Sequence, residues 1–77
     1  MTLNEFIEKV AAEFEDTPSE VFMPETHFRE LEEWGSLTAL SVISMVDDEY
    51  DIIITGAEIR KCTTMEDLYN LVVSKQS

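Results

Sequence analysis

The sequence predicts an all-α fold: a small four-helix bundle with three longer helices, one short helix and a long first loop. Apolar residues recur at helical spacing in separate stretches, whereas no two β-branched or alternating runs are available to pair as strands. Helix-start signals agree, because Thr2, Thr55 and Thr64 are each followed three positions later by an acidic residue. A chain of 77 residues is expected to form one domain, residues 1–77.

The first helix is predicted over residues 3–14. Its apolar residues recur every three or four positions and therefore share one face. They are Leu3, Phe6, Ile7, Val10, Ala11 and Phe14. Thr2 and Glu5 have the spacing of a capping box, in which a hydroxyl and a carboxylate satisfy backbone N–H groups left open at a helix start.

Residues 15–35 form a long connection that contains both prolines and has no sustained period. We expect it to include a short helical turn. Its apolar residues are too numerous for a free linker, so we expect them to fold back over the core. They are Val21, Phe22, Met23, Phe28, Leu31 and Trp34.

A second helix is predicted over residues 36–50, with Ser36 as its N-cap directly after Gly35. At about 100° per residue, one broad arc of this helix is expected to pack inward. That arc consists of Ala39, Leu40, Val42, Ile43, Val46 and Tyr50.

Leu37 and Met45 fall outside the inward arc, and we expect both to be at least partly exposed. They share their side of the helix with the polar residues Thr38, Ser41, Asp48 and Glu49. Exposed apolar groups beside carboxylates are typical of a transient protein contact. A simpler interpretation is that single exposed apolar residues are ordinary and that the loop around Trp34 covers Leu37.

The remaining chain is predicted to form a loop and two helices. Residues 52–54 are three consecutive isoleucines, but a lone strand would have no partner, so we expect a loop. Thr55 and Glu58 open a short helix that runs through Ile59. Thr64 and Asp67 open the last helix, whose apolar residues include Met65, Leu68, Leu71 and Val72.

The charge of the chain excludes several function classes. Seventeen acidic residues against five Lys and Arg give a formal net charge of −12, which repels nucleic acid and anionic lipid headgroups. We expect basic partner surfaces, although the acidity could serve solubility alone. No apolar run approaches the roughly 20 residues of a membrane span. A lone cysteine, Cys62, and no N-terminal secretion signal lead us to expect a cytoplasmic protein.

The segment FRELEEWGSL, residues 28–37, resembles the attachment segment of acyl carrier proteins, in which a serine followed by leucine opens the second helix. Downstream residues agree in register with that family: Leu40, Ile43, Val46 and the run DDEY at 47–50. The run TTMEDL at 63–68 resembles the start of the last helix of the family. The resemblance spans essentially the whole chain.

The resemblance implies a carrier rather than an enzyme. In the family, a phosphopantetheinyl transferase attaches phosphopantetheine from coenzyme A to the serine, here Ser36. The thiol of the arm then holds acyl groups as thioesters for fatty-acid, polyketide or related specialised biosynthesis. An aminoacyl or peptidyl carrier would have the same arm. One departure concerns Gly35, which stands where the family usually has aspartate.

The resemblance also implies partners that dock near the arm. We expect a monomer that presents its cargo to acyl-loading, condensing and tailoring enzymes through their basic surfaces. The expected partner-binding residues are Leu37, Ser41, Met45, Asp48 and Glu49. The competing hypothesis is a non-carrier interaction domain, in which Ser36 only caps a helix and the acidic face binds a protein.

Catalysis and metal binding are not expected from the residues present. His27 is the sole histidine, and no Gly-x-Ser-x-Gly elbow surrounds Ser36, which argues against a hydrolase. Cys62 is expected to be a small core or boundary residue. The acid-rich residues 47–51 lack the ligand spacing and central glycine of a calcium-binding loop.

Overall fold

The structure, a computed structural model, describes residues 1–76, so Ser77 of the predicted domain lies outside the described residues. It contains four α-helices: α1 (Leu3–Ala11), α2 (Ser36–Tyr50), α3 (Gly56–Arg60) and α4 (Met65–Gln76). Helical residues, including those of two 3₁₀ turns, make up 62% of the structure, and residues 1–76 contain no strand. The predicted all-α class, with three longer helices and one short one, is confirmed.

Helix α1 is shorter than predicted, because its last turn tightens after Ala11. The N–H groups of Glu13 and Phe14 donate to carbonyls three residues back, both at 3.0 Å, which is the spacing of a 3₁₀ turn. Phe14 is nevertheless buried. At the other end, the Thr2 hydroxyl accepts from the Glu5 N–H at 3.2 Å. The Glu5 carboxylate accepts from that hydroxyl rather than from the backbone donor that completes a capping box.

The long first loop contains two 3₁₀ turns, Ser19–Val21 and Phe28–Glu30, where one short helical turn was predicted. Most of its apolar residues fold back as expected. Phe22 and Phe28 are buried, and Leu31 and Trp34 pack partly buried against the core. Val21 and Met23 do not follow this prediction, since they remain 39% and 51% exposed.

Backbone hydrogen bonds fasten this loop to the start of α4. The carbonyls of Thr26 and Pro24 accept from the N–H groups of Met65 and Glu66, at 3.1 and 2.9 Å. These donors belong to the first turn of α4, where a helix has no acceptor of its own. The loop and the helix therefore satisfy each other's backbone groups.

Helix α2 lies rotated relative to its predicted orientation. Val42 and Val46 are completely buried as expected, but Met45 is only 7% exposed and Leu40 is 58% exposed, the reverse of the prediction for both. Apolar side chains surround much of α2, so its sequence pattern leaves the orientation open. Packing against α1 on one side and α3 on the other selects the face centred on Val42, Met45 and Val46.

The segment after α2 is a loop, as predicted. Ile52 and Ile54 point into the core while Ile53 is 72% exposed. The predicted capping box at Thr55 and Glu58 is complete, with each side chain bonded to the other residue's backbone N–H.

One core cluster unites the four helices. Helix α1 packs against α2 and α4, and α2 packs against α3. Phe6 of α1 is fully buried, with its ring centroid 6.2 Å from that of Tyr50 and 5.8 Å from that of Tyr69. Within residues 1–76, every helix falls short of the length and apolar character that crossing a bilayer requires.

Candidate functional site

Ser36 is the first residue inside α2 rather than its N-cap. The N-cap is Gly35, whose extended backbone (φ −174°, ψ −174°) precedes the helix and whose carbonyl accepts from the Ala39 N–H at 2.9 Å. The predicted capping role of Ser36 is therefore wrong by one position. Ser36 already has helical backbone geometry, so the N-cap position, which is only half inside the helix, falls on Gly35.

The Ser36 hydroxyl therefore does not cap α2. Ser36 is exposed, and its hydroxyl forms no hydrogen bond with any of residues 1–76. A serine that stabilised the helix start would instead accept a backbone N–H. The side chain is left accessible to an incoming enzyme.

The start of α2 offers open backbone donors beside that hydroxyl. No side chain of the described residues caps the helix, and its first turn contains no acidic residue. The N–H groups that precede Ala39 lie at the positive end of the helix dipole, where an anion is stabilised. A phosphate ester on Ser36 therefore fits the chemistry of this end, where the N–H groups of Leu37 and Thr38 could donate to it.

An open groove of about 610 Å³ runs along α2 and begins at Leu37, the residue directly after Ser36. All five predicted partner-binding residues line it, together with three that were not predicted to bind a partner. The lining residues are Glu13, Leu37, Leu40, Ser41, Ser44, Met45, Asp48 and Glu49. Leu40 was not predicted to bind a partner because its position on the helical arc assigned it to the core. Glu13 was not predicted because it reaches the groove from the chain just after α1.

Two of the three apolar side chains in the groove are exposed. Leu37 is 81% exposed and Leu40 is 58% exposed, whereas Met45 is buried. The loop around Trp34 does not cover Leu37. Trp34 instead packs on Phe14 and Phe28, at ring-centroid distances of 6.2 and 5.1 Å.

Three carboxylates border these apolar side chains, and one of them is already engaged. Lys9 of α1 donates to the Glu49 carboxylate at 2.6 Å, and this hydrogen bond raises the pKa of Lys9. The pair ties α1 to the far end of α2. The ion pairs among residues 1–76 include neither Glu13 nor Asp48, so both carboxylates can pair with a basic partner surface.

The sole cysteine, Cys62, and the sole histidine, His27, are held in contacts outside the groove. Cys62 is buried and its thiol donates to the Glu58 carbonyl at 3.6 Å, and burial raises the pKa of that thiol. This confirms the prediction of a small core residue. His27 is exposed in the first loop, and its ring lies 2.9 Å from the Glu30 carboxylate.

The candidate site thus consists of an exposed serine at an open helix start and an apolar groove with acidic borders. Among residues 1–76, no group of three or more His, Cys, Asp or Glu side chains is arranged to hold a metal ion. Searches with protein-family models, among curated proteins and among solved structures found no match to this chain.

Proposed function

We propose that this chain is an acyl carrier protein and that Ser36 carries a phosphopantetheine arm. The observation that carries the proposal is the Ser36 hydroxyl, which is exposed at the open N-terminus of α2 and forms no hydrogen bond with residues 1–76. It lies within the segment that resembles the attachment segment of carriers. The domain, residues 1–77, acts in the cytoplasm as a monomer.

In the attachment step, Ser36 of this chain supplies the nucleophile. The Ser36 oxygen attacks the phosphorus that bears the pantetheine in coenzyme A, forming a phosphodiester and breaking the pyrophosphate bond. The adenosine bisphosphate half of coenzyme A leaves, and the transferase accepts the hydroxyl proton. The open N–H groups at the start of α2 stabilise the phosphodiester anion. When bound, the arm would supply the thiol that forms thioesters, so the domain needs no nucleophile of its own for that chemistry.

The helix packing supports this assignment. Carriers of the family are four-helix bundles, and we infer the same arrangement here from the contacts of α1 with α2 and α4 and of α3 with α2. Such a bundle presents one long helix, α2, along its surface. Partner enzymes with basic surfaces then meet the apolar residues Leu37 and Leu40 together with the carboxylates of Glu13 and Asp48.

The alternative of a non-carrier interaction domain rests on the same groove. Its explanation of Ser36 was helix capping, and Gly35 occupies the capping position instead. The carrier proposal therefore accounts for the serine and the groove together, whereas the alternative accounts for the groove alone. An aminoacyl cargo would use the same arm and the same serine.

The proposal is tested by incubating the protein with coenzyme A, magnesium and a phosphopantetheinyl transferase, followed by intact-protein mass spectrometry. We expect a mass increase of one phosphopantetheine group. An unmodified protein after incubation with several transferases, including one from the same cells, would favour the interaction domain.

Gly35→Asp is expected to improve both the helix start and arm attachment. An added Cβ at Gly35 meets no atom within 4 Å, and its extended backbone suits any residue. An aspartate there can accept a hydrogen bond from the open N–H of Thr38, which stabilises the fold by about 0.5 kcal/mol and leaves the N–H groups of Ser36 and Leu37 to the phosphodiester. It also restores the residue that the family usually has. Thermal unfolding and transferase kcat/KM should both rise.

Gly35→Ala is the matched control, because it also removes the glycine but cannot accept a hydrogen bond. It should lower the transferase kcat/KM or leave it unchanged. An equal gain in both variants would show that the loss of the glycine, rather than the aspartate carboxylate, is responsible.

Leu37→Glu is expected to weaken docking without affecting the fold, because this side chain is exposed and makes little contact with the core. Loss of an apolar contact at the centre of an interface costs about 1.4 kcal/mol or more, which is a tenfold fall in kcat/KM with the transferase. Ile53→Glu provides the control, since Ile53 is similarly exposed but does not line the groove. Equal losses in the two variants would contradict a specific role of the groove.

A further inference from the structure

The carboxylate of Glu33 collects four hydrogen bonds from one short stretch of the first loop. Its Oε2 accepts from the Glu15 N–H at 2.6 Å, and its Oε1 accepts from the N–H groups of Asp16 and Thr17, both at 3.0 Å. The Thr17 hydroxyl donates to the same Oε1 at 2.8 Å. Three consecutive backbone donors thus converge on a single side chain up to 18 residues away.

The backbone of the same residue is tied to α2. The carbonyl oxygen of Glu33 accepts from the Thr38 hydroxyl at 2.9 Å. Ser36 lies between Glu33 and Thr38 in the chain. The segment that leads into α2 is therefore fastened on both sides of Ser36, on one side to the chain that follows α1 and on the other to the first turn of α2.

The Glu33 carboxylate is held in place although its neighbours in the sequence include other acidic residues. Glu33 follows Glu32 directly, and its donors belong to a stretch that includes Glu15 and Asp16. Burial of the Glu33 carboxylate opposes its ionisation, but the bonds from Thr17 and the three backbone N–H groups outweigh that effect and lower the pKa of Glu33. The side chain is thus an anion at neutral pH, and charge-assisted bonds are the stronger kind.

We propose that Glu33 is a positioning residue for the modification of Ser36. Its hydrogen bonds hold residues 33–38 in the one arrangement that a transferase meets, so the enzyme does not have to select that arrangement from a mobile loop. This inference rests on the proposed carrier function. The four hydrogen bonds between the Glu33 carboxylate and residues 15–17 form a clamp. Loss of this clamp lowers the fraction of molecules in the competent arrangement, and the apparent affinity for the transferase falls by the same factor.

The test compares Glu33→Ala with Glu32→Ala, which removes the same charge from a neighbouring residue that forms none of these hydrogen bonds. Hydrogen exchange of the amides of residues 15–17 reports the clamp, and steady-state kinetics with the transferase report its consequence. For Glu33→Ala we expect faster exchange at these amides and a KM about fivefold higher, with kcat changed less than about twofold. Glu32→Ala should match the unsubstituted protein in both measurements.

Glu33→Gln serves as the conservative variant, because it keeps one acceptor oxygen and should recover part of the lost affinity. A purely structural effect would lower the melting temperature without separating KM from kcat. Faster amide exchange with an unchanged KM would overturn the positioning role while leaving the carrier proposal intact. Unchanged amide exchange would overturn the clamp itself. An unsubstituted protein that accepts no arm would instead contradict the proposed function.

Discussion

Ser36→Ala is expected to abolish attachment of the phosphopantetheine arm while leaving the fold unchanged. The hydroxyl is the only oxygen that the proposal places at the attachment point, and it forms no hydrogen bond with the described residues. Removing an exposed group without partners changes the free energy of unfolding by less than about 0.5 kcal/mol. Intact-protein mass spectrometry after the transferase reaction and thermal unfolding by circular dichroism measure the two effects.

Ser19→Ala is the matched control for this prediction. Ser19 is also an exposed serine, but it lies in the first loop and does not line the groove, so the substitution removes an identical group away from the proposed attachment and docking residues. This variant should accept the arm. Arm attachment to Ser36→Ala, at any rate near that of the unsubstituted protein, would show that the attachment site has been assigned to the wrong residue.

Phe6→Ala is expected to have the largest effect on stability. Phe6 is completely buried and contacts Tyr50 of α2 and Tyr69 of α4, so its ring joins three helices. Truncation of a buried phenylalanine costs about 3–5 kcal/mol, against a total stability of about 5–15 kcal/mol for natural domains. In a domain of this size, such a loss lowers the melting temperature by roughly 15–30 °C.

Urea unfolding followed by circular dichroism measures this loss. Met23→Ala is the control, since Met23 is 51% exposed and its truncation should change stability by less than about 0.5 kcal/mol. Similar unfolding midpoints for the two variants would contradict the described packing of α1 against α2 and α4.

Local signals in the sequence were sufficient to predict where most helices begin. The capping box at Thr55 and Glu58 forms as predicted, because both partners lie within one turn and need no other element. Asp67 likewise accepts from the N–H groups of Thr63 and Thr64 at 3.0 and 3.1 Å. Hydrogen bonds between residues three or four positions apart depend only on the spacing of those residues, which can be read directly from the sequence.

The orientation of α2 could not be predicted in the same way. Leu40 and Met45 exchange their expected environments because both are apolar, and the helical period does not decide which of them faces α1 and α3. That choice depends on the shapes of the neighbouring helices. The groove residues were therefore found as a group, although the individual exposures of Leu40 and Met45 were wrong.

The hydrogen bonds of Glu33 could not be predicted from the sequence either. Glu33 stands beside Glu32 in an acid-rich stretch, and the two residues are chemically identical in the sequence. Only the return of the chain after α1 brings the N–H groups of residues 15–17 to one carboxylate rather than the other. A contact across 16 or more residues has no periodic or local signature, so this residue was not singled out.

The most direct test of carrier function is mass spectrometry of the protein purified from the cells that produce it, with peptide mapping of any modification. We expect one phosphopantetheine arm, free or acylated, on the peptide that contains Ser36. An unmodified Ser36, in cells whose other phosphopantetheine-dependent proteins are loaded, would contradict the proposed function.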